Sequence, residues 1–383
     1  MAPNPIVLNL RRLRTAKAFT QGSLADQAGI SRAAYRKIEI GKSEPRVGTL
    51  QAIAGALGVG IQELVAPARE LKAVRFRSLK RLRSREQILV DVGRWLTDFN
   101  EVEGFLGEKV ESRIKGISFR GGSPADFPVQ AAAKVRELFG IGPNDLIRDI
   151  CGLLEAHGIK VGFVPIASDD FFGLSIAPSD GGPAIVVNTW DRISVERWIF
   201  TAAHELGYLI LHLSDYDVAQ TEEAKEHEKQ ANAFAAAFLM PVVPFRKEWD
   251  ETYGLPLVDR VLKVKRIFRV SYRTVLHRLA ALKTVHGNVW ARFQADYQRQ
   301  YGRTLLRDAE PAALAQDAFR ASFPENLLAG EPEHLSRVDF PGGRLSRLVR
   351  KAIEDEKISL SRGAEILRKS LQEMRDLAAS WVG

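Results

Sequence analysis

The sequence predicts a multidomain chain: a small all-α domain, then an α+β domain, then a helical C-terminal region. Three observations carry that prediction. The length of 383 residues suggests two to three domains. The first 66 residues hold only short helical periods, separated by capping residues and glycines. Further on, short apolar runs of strand type precede one long apolar helix between Ser194 and His212.

Composition narrows the class. At 45% hydrophobic residues the chain can bury real cores. Its single cysteine, Cys151, excludes an intramolecular disulfide and fits a reducing compartment. The opening residues MAPNPIVLNLRRLR lack the long apolar stretch of a signal peptide. Runs such as Pro183 to Val187 and Ala233 to Met240 are too short to span a bilayer. The expectation is a soluble cytoplasmic protein with no membrane partner. Net charge is +8, unevenly spread. Residues 1–85 carry 17 basic and 5 acidic side chains, whereas the remainder carries 38 and 42. A basic module on a mildly acidic body suggests a polyanionic partner for that module.

The N-terminal elements follow in order. Ile6 to Lys17 has Ile6, Leu10 and Leu13 at helical spacing. Thr20 caps a second helix, Gln21 to Ala28, which Gly29 closes. Ser31 caps a third, running to Ile40 before Gly41. Thr49 opens a fourth, with Leu50, Ile53, Ala54 and Leu57 apolar, ending at Gly58; Ile61 to Val65 is a last turn. The string FTQGSLADQAGISRAAYRKIEIGKSEPRVGTLQAIAGALGV resembles the Xre and lambdoid-repressor family along its whole length. Gln21, Leu24-Ala25, Gly29-Ile30-Ser31, Ile38-Glu39, Gly41-Lys42, Pro45, Leu50 and Leu57 carry the likeness.

The resemblance implies a helix-turn-helix domain whose third helix enters the major groove of duplex DNA. Arg32, Ala33 and Lys37 match its base-reading positions, and Arg36 points outward beside them. Arg32 or Lys37 would pair with guanine O6 and N7. Gln21 would meet the backbone, the capping Ser31 is counted among the DNA-binding residues, and Lys42 and Arg46 are available for phosphates. Ala25 and Ile38 are expected to pack. Ile40 replaces the polar residue usual before the glycine and weakens one expected phosphate contact. One such domain reads few base pairs, so a homodimer on a two-fold operator is expected.

Ala66 to Arg85, APARELKAVRFRSLKRLRSR, is a joint with eight basic residues in twenty. It is either a linker lying along DNA or a strand or helix packed on the next domain, since Leu71, Val74, Phe76 and Leu79 need burial. Arg85 to Leu106 has a helical period, and Phe119 to Pro128 is a Gly/Pro-containing loop.

Beyond it, Val129 to Phe139 and Asp145 to His157 read as helices. Lys160 to Pro165, Leu174 to Ile176 and PAIVVN at Pro183 to Asn188 read as strands. In the long helix that follows, His204-Glu205-Leu206-Gly207-Tyr208 is four-fifths of the zinc-peptidase pattern H-E-x-x-H. That pattern works because residues four apart share a helix face, so two imidazoles bind one zinc while the glutamate activates its water. PAIVVN, AHELG, LILH and EKQANAFAAAFLMP together resemble the ImmA/IrrE metallopeptidase family over roughly Ala131 to Val285, and KVKRIFRVSYRTVLHRLAAL resembles its closing helices.

The resemblance implies an α+β zincin-like domain in which zinc ligands are His204, the residue at 208 and Glu228, with Glu205 as general base. Tyr208 departs from it. A neutral phenol, with a pKa of about 10, is a poor zinc ligand at neutral pH. His212 lies roughly 12 Å along the helix from His204, too far to share an ion with it, and His227 points away from Glu228 by about 100°. A catalytically degenerate domain is the favoured expectation; zinc completed by Tyr208 or water is the alternative.

The C-terminal region is less informative. Gly287 to Gly343 receives no role. Arg344 to Glu356 and Leu360 to Trp381 read as amphipathic helices; ISLSRGAEILRKSLQEMRDLAASW resembles another helix-turn-helix but lacks the turn glycine, so packing helices or a partner-binding surface is preferred. The expected organisation is 1–66 DNA-binding, 67–128 joint and helical connector, 129–286 peptidase-like, and 287–383 helical. The expected function is a DNA-binding transcriptional repressor modulated by the peptidase-like domain. In separate-chain relatives of the resembled family the peptidase cuts an Xre repressor, which would make self-cleavage in the joint conceivable. The alternatives are an antitoxin that autoregulates its operon and holds a toxin partner through the C-terminal helices, and an active zinc endopeptidase.

Overall fold

The computed structural model describes residues 4–17, 19–65, 71–78, 85–114, 126–218, 224–306, 309–315, 317–318 and 331–381. These divide into two compact units, the first drawn from 1–73, 79–108 and 348–383, the second from 74–78 and 109–347.

The first unit opens with five helices: α1 (Pro5–Ala16), α2 (Gln21–Gln27), α3 (Arg32–Glu39), α4 (Val47–Leu57) and α5 (Ile61–Val65). The sequence sets their ends. The Thr20 hydroxyl accepts from the Ser23 amide and the Ser31 hydroxyl from the Ala34 amide, satisfying orphan donors at each start. Gly29, at φ 66°, makes the turn between α2 and α3 in a conformation that penalises any Cβ. Leu10, Leu13, Leu24, Ala25, Tyr35, Ile38, Ile53, Leu57 and Leu64 form one core. The fourth helix starts earlier than expected: Arg46, without a side-chain cap, precedes it, and Thr49 lies inside. Helix α6 (Arg85–Leu106) follows with Ile88, Val92, Leu96, Phe99 and Val102 buried.

The second unit begins with β1 (Val74–Ser78), so the middle of the joint is a strand; 66–70 and 79–84 lie outside the described residues, as does 119–125 of the expected loop. It continues with α7 (Phe127–Leu138), α8 (Ile150–Ala156), β2 (Lys160–Val164), β3 (Phe171–Ile176), β4 (Ala184–Asn188), α9 (Val195–Leu211) and α10 (Lys225–Leu239). The sheet order is β1-β3-β4-β2. β1 and β3 are antiparallel, as are β3 and β4, whereas β4 and β2 are parallel. β3 and β4 are buried throughout, which fits their mainly apolar sequence, with Ser175 and Asn188 the buried polar exceptions. Helix α9 lies on β3 and β4 so closely that a Cβ at Gly173 would stand 2.8 Å from Thr201 Cγ2 and from the Val186 carbonyl oxygen. Its other side meets α10, where a Cβ at Gly207 would come 3.0 Å from the Phe234 ring. Helices α11 (Val242–Asp250), α12 (Leu257–Phe268), α13 (Tyr272–Ala281) and α14 (Val289–Tyr301) complete it.

Near the C-terminus are α15 (Arg344–Glu354), α16 (Leu360–Leu367) and α17 (Leu371–Ala379), where the sequence pattern placed two or three helices.

Candidate functional site

In the N-terminal domain, Arg32, Ala33, Arg36 and Lys37 are exposed on α3, and Lys42 and Arg46 are exposed in the loop that follows. Ala25 and Ile38 are buried. The Gln21 side-chain amide donates to Glu39 Oε2. Glu39 is the hub of the domain, also accepting from Arg14 Nε at 2.6 Å and from the Tyr35 hydroxyl at 3.1 Å. Burial alone would raise its carboxyl, but the bonds from Arg14 and Gln21 hold it below its ordinary value. One buried carboxylate thereby ties α1, α2 and α3 together and fixes the pitch of the exposed helix.

In the second unit the sequence-predicted residues do converge. His204 and Glu205 are fully buried on α9, with Tyr208 one turn on. Glu228, in the first turn of α10, accepts from the Tyr208 hydroxyl at 3.3 Å, and its Oε2 stands 3.3 Å from His204 Nε2. Sequence reasoning missed four partners. Asn232, one turn beyond Glu228 on the same face of α10, contacts His204 Nδ1 through its Oδ1 at 3.0 Å and donates to Glu228 Oε1 at 3.3 Å. The Ser175 hydroxyl donates to Glu205 Oε2 at 2.6 Å and bonds the Tyr216 hydroxyl at 2.7 Å.

The fourth missed residue is Arg75, from the joint. It sits opposite Ser175 in the β1–β3 ladder, and antiparallel partners share a sheet face. Its Nη2 lies 3.5 Å from Glu228 Oε2, its Nη1 lies 3.7 Å from Glu205 Oε2, and its guanidinium stacks on the Tyr208 ring. The Val74-Arg75-Phe76 alternation signals a strand, but nothing distinguishes Arg75 from the other basic residues of the joint.

This donor set tests the implied zinc. The His204–Asn232 bond is the outer-shell support that a zinc-bound imidazole needs. The remainder does not fit. Tyr208 replaces a nitrogen donor, and a guanidinium already stands within ion-pair distance of both carboxylates. A dication about 4 Å from that guanidinium would meet a repulsion on the order of several kcal/mol. Glu205, meanwhile, is bonded to Ser175 Oγ and paired with Arg75.

A second titratable group lies beyond the α9 C-terminus. His212 and His227 stack at 4.0 Å between ring centroids, and His227 Nδ1 is 3.3 Å from Asp215 Oδ2. Burial, then the neighbouring His227, lower the His212 pKa to about 4. The ligand atoms of the three residues lie within 4.8 Å of one another. Stacked rings hold their in-plane lone pairs side by side, however, rather than converging on a tetrahedral ion. His212 meets Tyr208 and His227, and the structure brings neither histidine into the His204 cluster.

Comparison with known proteins agrees with this division. Residues 10–64 match a helix-turn-helix family and residues 154–280 match the IrrE N-terminal-like domain. Over 56 residues the chain is 43% identical to the SPbeta prophage-derived HTH-type transcriptional regulator YonR of Bacillus subtilis, covering 15% of this chain and 52% of the relative. Over 57 residues it is 40% identical to the B. subtilis HTH-type regulator YqaE, covering 15% and 49%. The chain thus spans about half the length of the curated relatives it matches. The crystal structure of Bacillus thuringiensis PlcR in complex with the peptide PapR7 and DNA aligns over 99% of both chains at 11% identity, with a TM-score of 0.17, too low to mark a shared fold. Among the described residues no helix is long and apolar enough to cross a membrane. The chain therefore carries an Xre-type helix-turn-helix domain at its N-terminus and an IrrE/ImmA-like, zincin-related domain at residues 154–280.

Proposed function

We propose that the chain is a cytoplasmic transcriptional regulator that binds operator DNA as a homodimer through α3, and that its peptidase-like domain modulates this binding without hydrolysing peptides. The observation that carries the second half is the Arg75 guanidinium between Glu205 and Glu228. It supplies the positive charge that zinc supplies in a working zincin, but it has no exchangeable site for water or a scissile carbonyl. The endopeptidase alternative is disfavoured for the same reason.

Arg75 also offers a means of coupling. It belongs to β1, which follows the DNA-binding domain in sequence and forms one edge of the sheet. An effector that competes for Arg75, or for the carboxylates it pairs with, loosens the strand connecting the two functions. Domain limits at 1–66, 67–128, 129–286 and 287–383 are retained as the functional division, with β1 of the joint contributing to the third.

The test measures duplex affinity of the full chain and of Arg75→Ala on a site selected from random sequence. A several-fold change in affinity, with α3 unaltered, supports coupling. Identical affinities and salt dependence for the two proteins would remove it. Failure of the wild-type chain to select any duplex would remove the regulator reading itself.

A further inference from the structure

The C-terminal helices repeat the N-terminal domain's backbone step by step. Thr20 and Ser31 cap α2 and α3 eleven residues apart, and Ser359 and Ser370 cap α16 and α17 at the same separation. Nine residues after the first cap comes a left-handed residue, Gly29 at φ 66° in one case and Arg368 at φ 55° in the other. The turn hydrogen bonds correspond: Gly29 N to Asp26 O and Ile30 N to Ala25 O, against Arg368 N to Glu365 O and Lys369 N to Ala364 O.

Core positions correspond as well. Counting from the first cap, Leu10, Leu13, Ala25 and Tyr35 match Val349, Ala352, Ala364 and Met374, all buried. Gly363 sits where a Cβ would come 2.7 Å from Ile353, 3.2 Å from Val349 and 3.4 Å from Met374, so α15, α16 and α17 meet there, and the corresponding Leu24 lies in the N-terminal core.

The module is anchored through its supporting helix. Arg362 of α16 pairs with Asp98 at 2.6 Å and Glu101 at 2.7 Å on α6, and Arg368 donates to the Asp91 carbonyl. That leaves α17 with Leu371, Gln372, Arg375 and Asp376 exposed. Gln372 and Arg375 occupy the positions of Ala33 and Arg36, and their side chains are the types that read adenine and guanine edges. Leu371, at the position of Arg32, offers an apolar contact to a thymine methyl. The acidic residues of α17 are engaged along the helix itself: Glu373 accepts from the Ser370 amide at 2.7 Å and Asp376 from Gln372 Nε2 at 2.9 Å. Gln372 keeps its carbonyl and second N–H for a base. Lys357 and Lys369 are exposed nearby, suited to phosphates.

We infer that residues 344–379 form a second helix-turn-helix whose α17 binds duplex DNA. The chain then carries two dissimilar recognition helices, and its target is bipartite.

The test selects duplexes from a random library on three full-length proteins: the wild type, a Gln372→Ala/Arg375→Ala variant and an Arg32→Ala/Lys37→Ala variant. All four positions are exposed, so thermal melting of the variants should match the wild type. Two elements give a bipartite motif of which Gln372→Ala/Arg375→Ala keeps one half and loses the other, with affinity for the full motif falling about tenfold or more. The Arg32→Ala/Lys37→Ala variant loses the opposite half. One motif selected identically by the wild type and Gln372→Ala/Arg375→Ala overturns the inference while leaving α3 as the DNA reader. Unchanged DNA selection with lost self-association overturns it too and makes α17 a protein contact. No enriched duplex for the wild type overturns the DNA assignment of both helices.

Discussion

Arg75 and Ser175 face each other across the β1–β3 ladder, and both reach the same oxygen, Glu205 Oε2, at 3.7 and 2.6 Å. A strand register therefore decides the chemistry of a helix-borne site. The joint delivers a fixed cation to the place where the family's pattern calls for a metal.

Arg75→Ala leaves Glu205 and Glu228 without their shared countercharge. The expected cost to the second unit is roughly 2–4 kcal/mol at neutral pH, because an uncompensated buried carboxylate is expensive. Arg75→Lys should recover only part of it, since a compact ammonium cannot straddle both carboxylates. Denaturant midpoints of the three proteins read this out; equal midpoints would show that the guanidinium is a bystander.

Glu39→Ala in the N-terminal domain leaves Arg14, Gln21 and the Tyr35 hydroxyl without their common acceptor. The domain should lose about 3 kcal/mol and, with it, DNA binding. The pH dependence follows from the lowered carboxyl of Glu39. Its contribution is fully present above the ordinary value of 4.5 and is lost as pH falls through the lower folded value. Wild-type and Glu39→Ala stabilities should therefore converge on acidification. A gap that stays constant down to pH 3 would contradict this.

Glu155 has the opposite sign. It is buried on α8, where burial raises its pKa to about 7 despite a hydrogen bond from the Arg344 amide. Folding favours its protonated form, so its contribution is greatest below the ordinary 4.5 and declines as pH rises through about 7. Glu155→Gln should flatten that decline and melt higher than the wild type at pH 8. A wild type that loses no stability between pH 5 and 8 relative to Glu155→Gln would sink the assignment.

Arg32→Ala and Lys42→Ala separate reading from holding. The first should relax base preference at one position by about 1–3 kcal/mol; the second should weaken all duplexes evenly and flatten the salt slope. Competition binding at two salt concentrations distinguishes them. An Arg32→Ala protein with wild-type specificity would mean that α3 is not the reader.

Much of this was legible in the sequence because it is local. Helix caps at Thr20 and Ser31, the turn at Gly29, and the spacing of His204, Glu205 and Tyr208 on one helix are each set by residues only a few positions apart. Glu228 was reachable only through family resemblance. Arg75 was not reachable: it meets Glu205 across 130 residues of chain, and only strand pairing selects it from the other basic residues of the joint. The C-terminal module was obscured by one substitution. Arg368 adopts the left-handed turn that Gly29 occupies more cheaply, at a cost of roughly 1 kcal/mol, so the glycine that marks the motif is missing while the backbone persists. The bond from Gln21 to Glu39 was hidden in the same way as Arg75, since 18 residues separate its partners.

Whether Arg75 occupies the place of a metal is decided by the zinc content of the chain purified without a histidine tag, beside Tyr208→His and the Arg75→Ala/Tyr208→His double variant. Little zinc is expected in the first two and about one zinc per chain in the double variant, where removing the cation and restoring the nitrogen donor rebuild the ligand set. About one chelator-removable zinc per wild-type chain would contradict this, since Arg75 could not then hold the place assigned to it here.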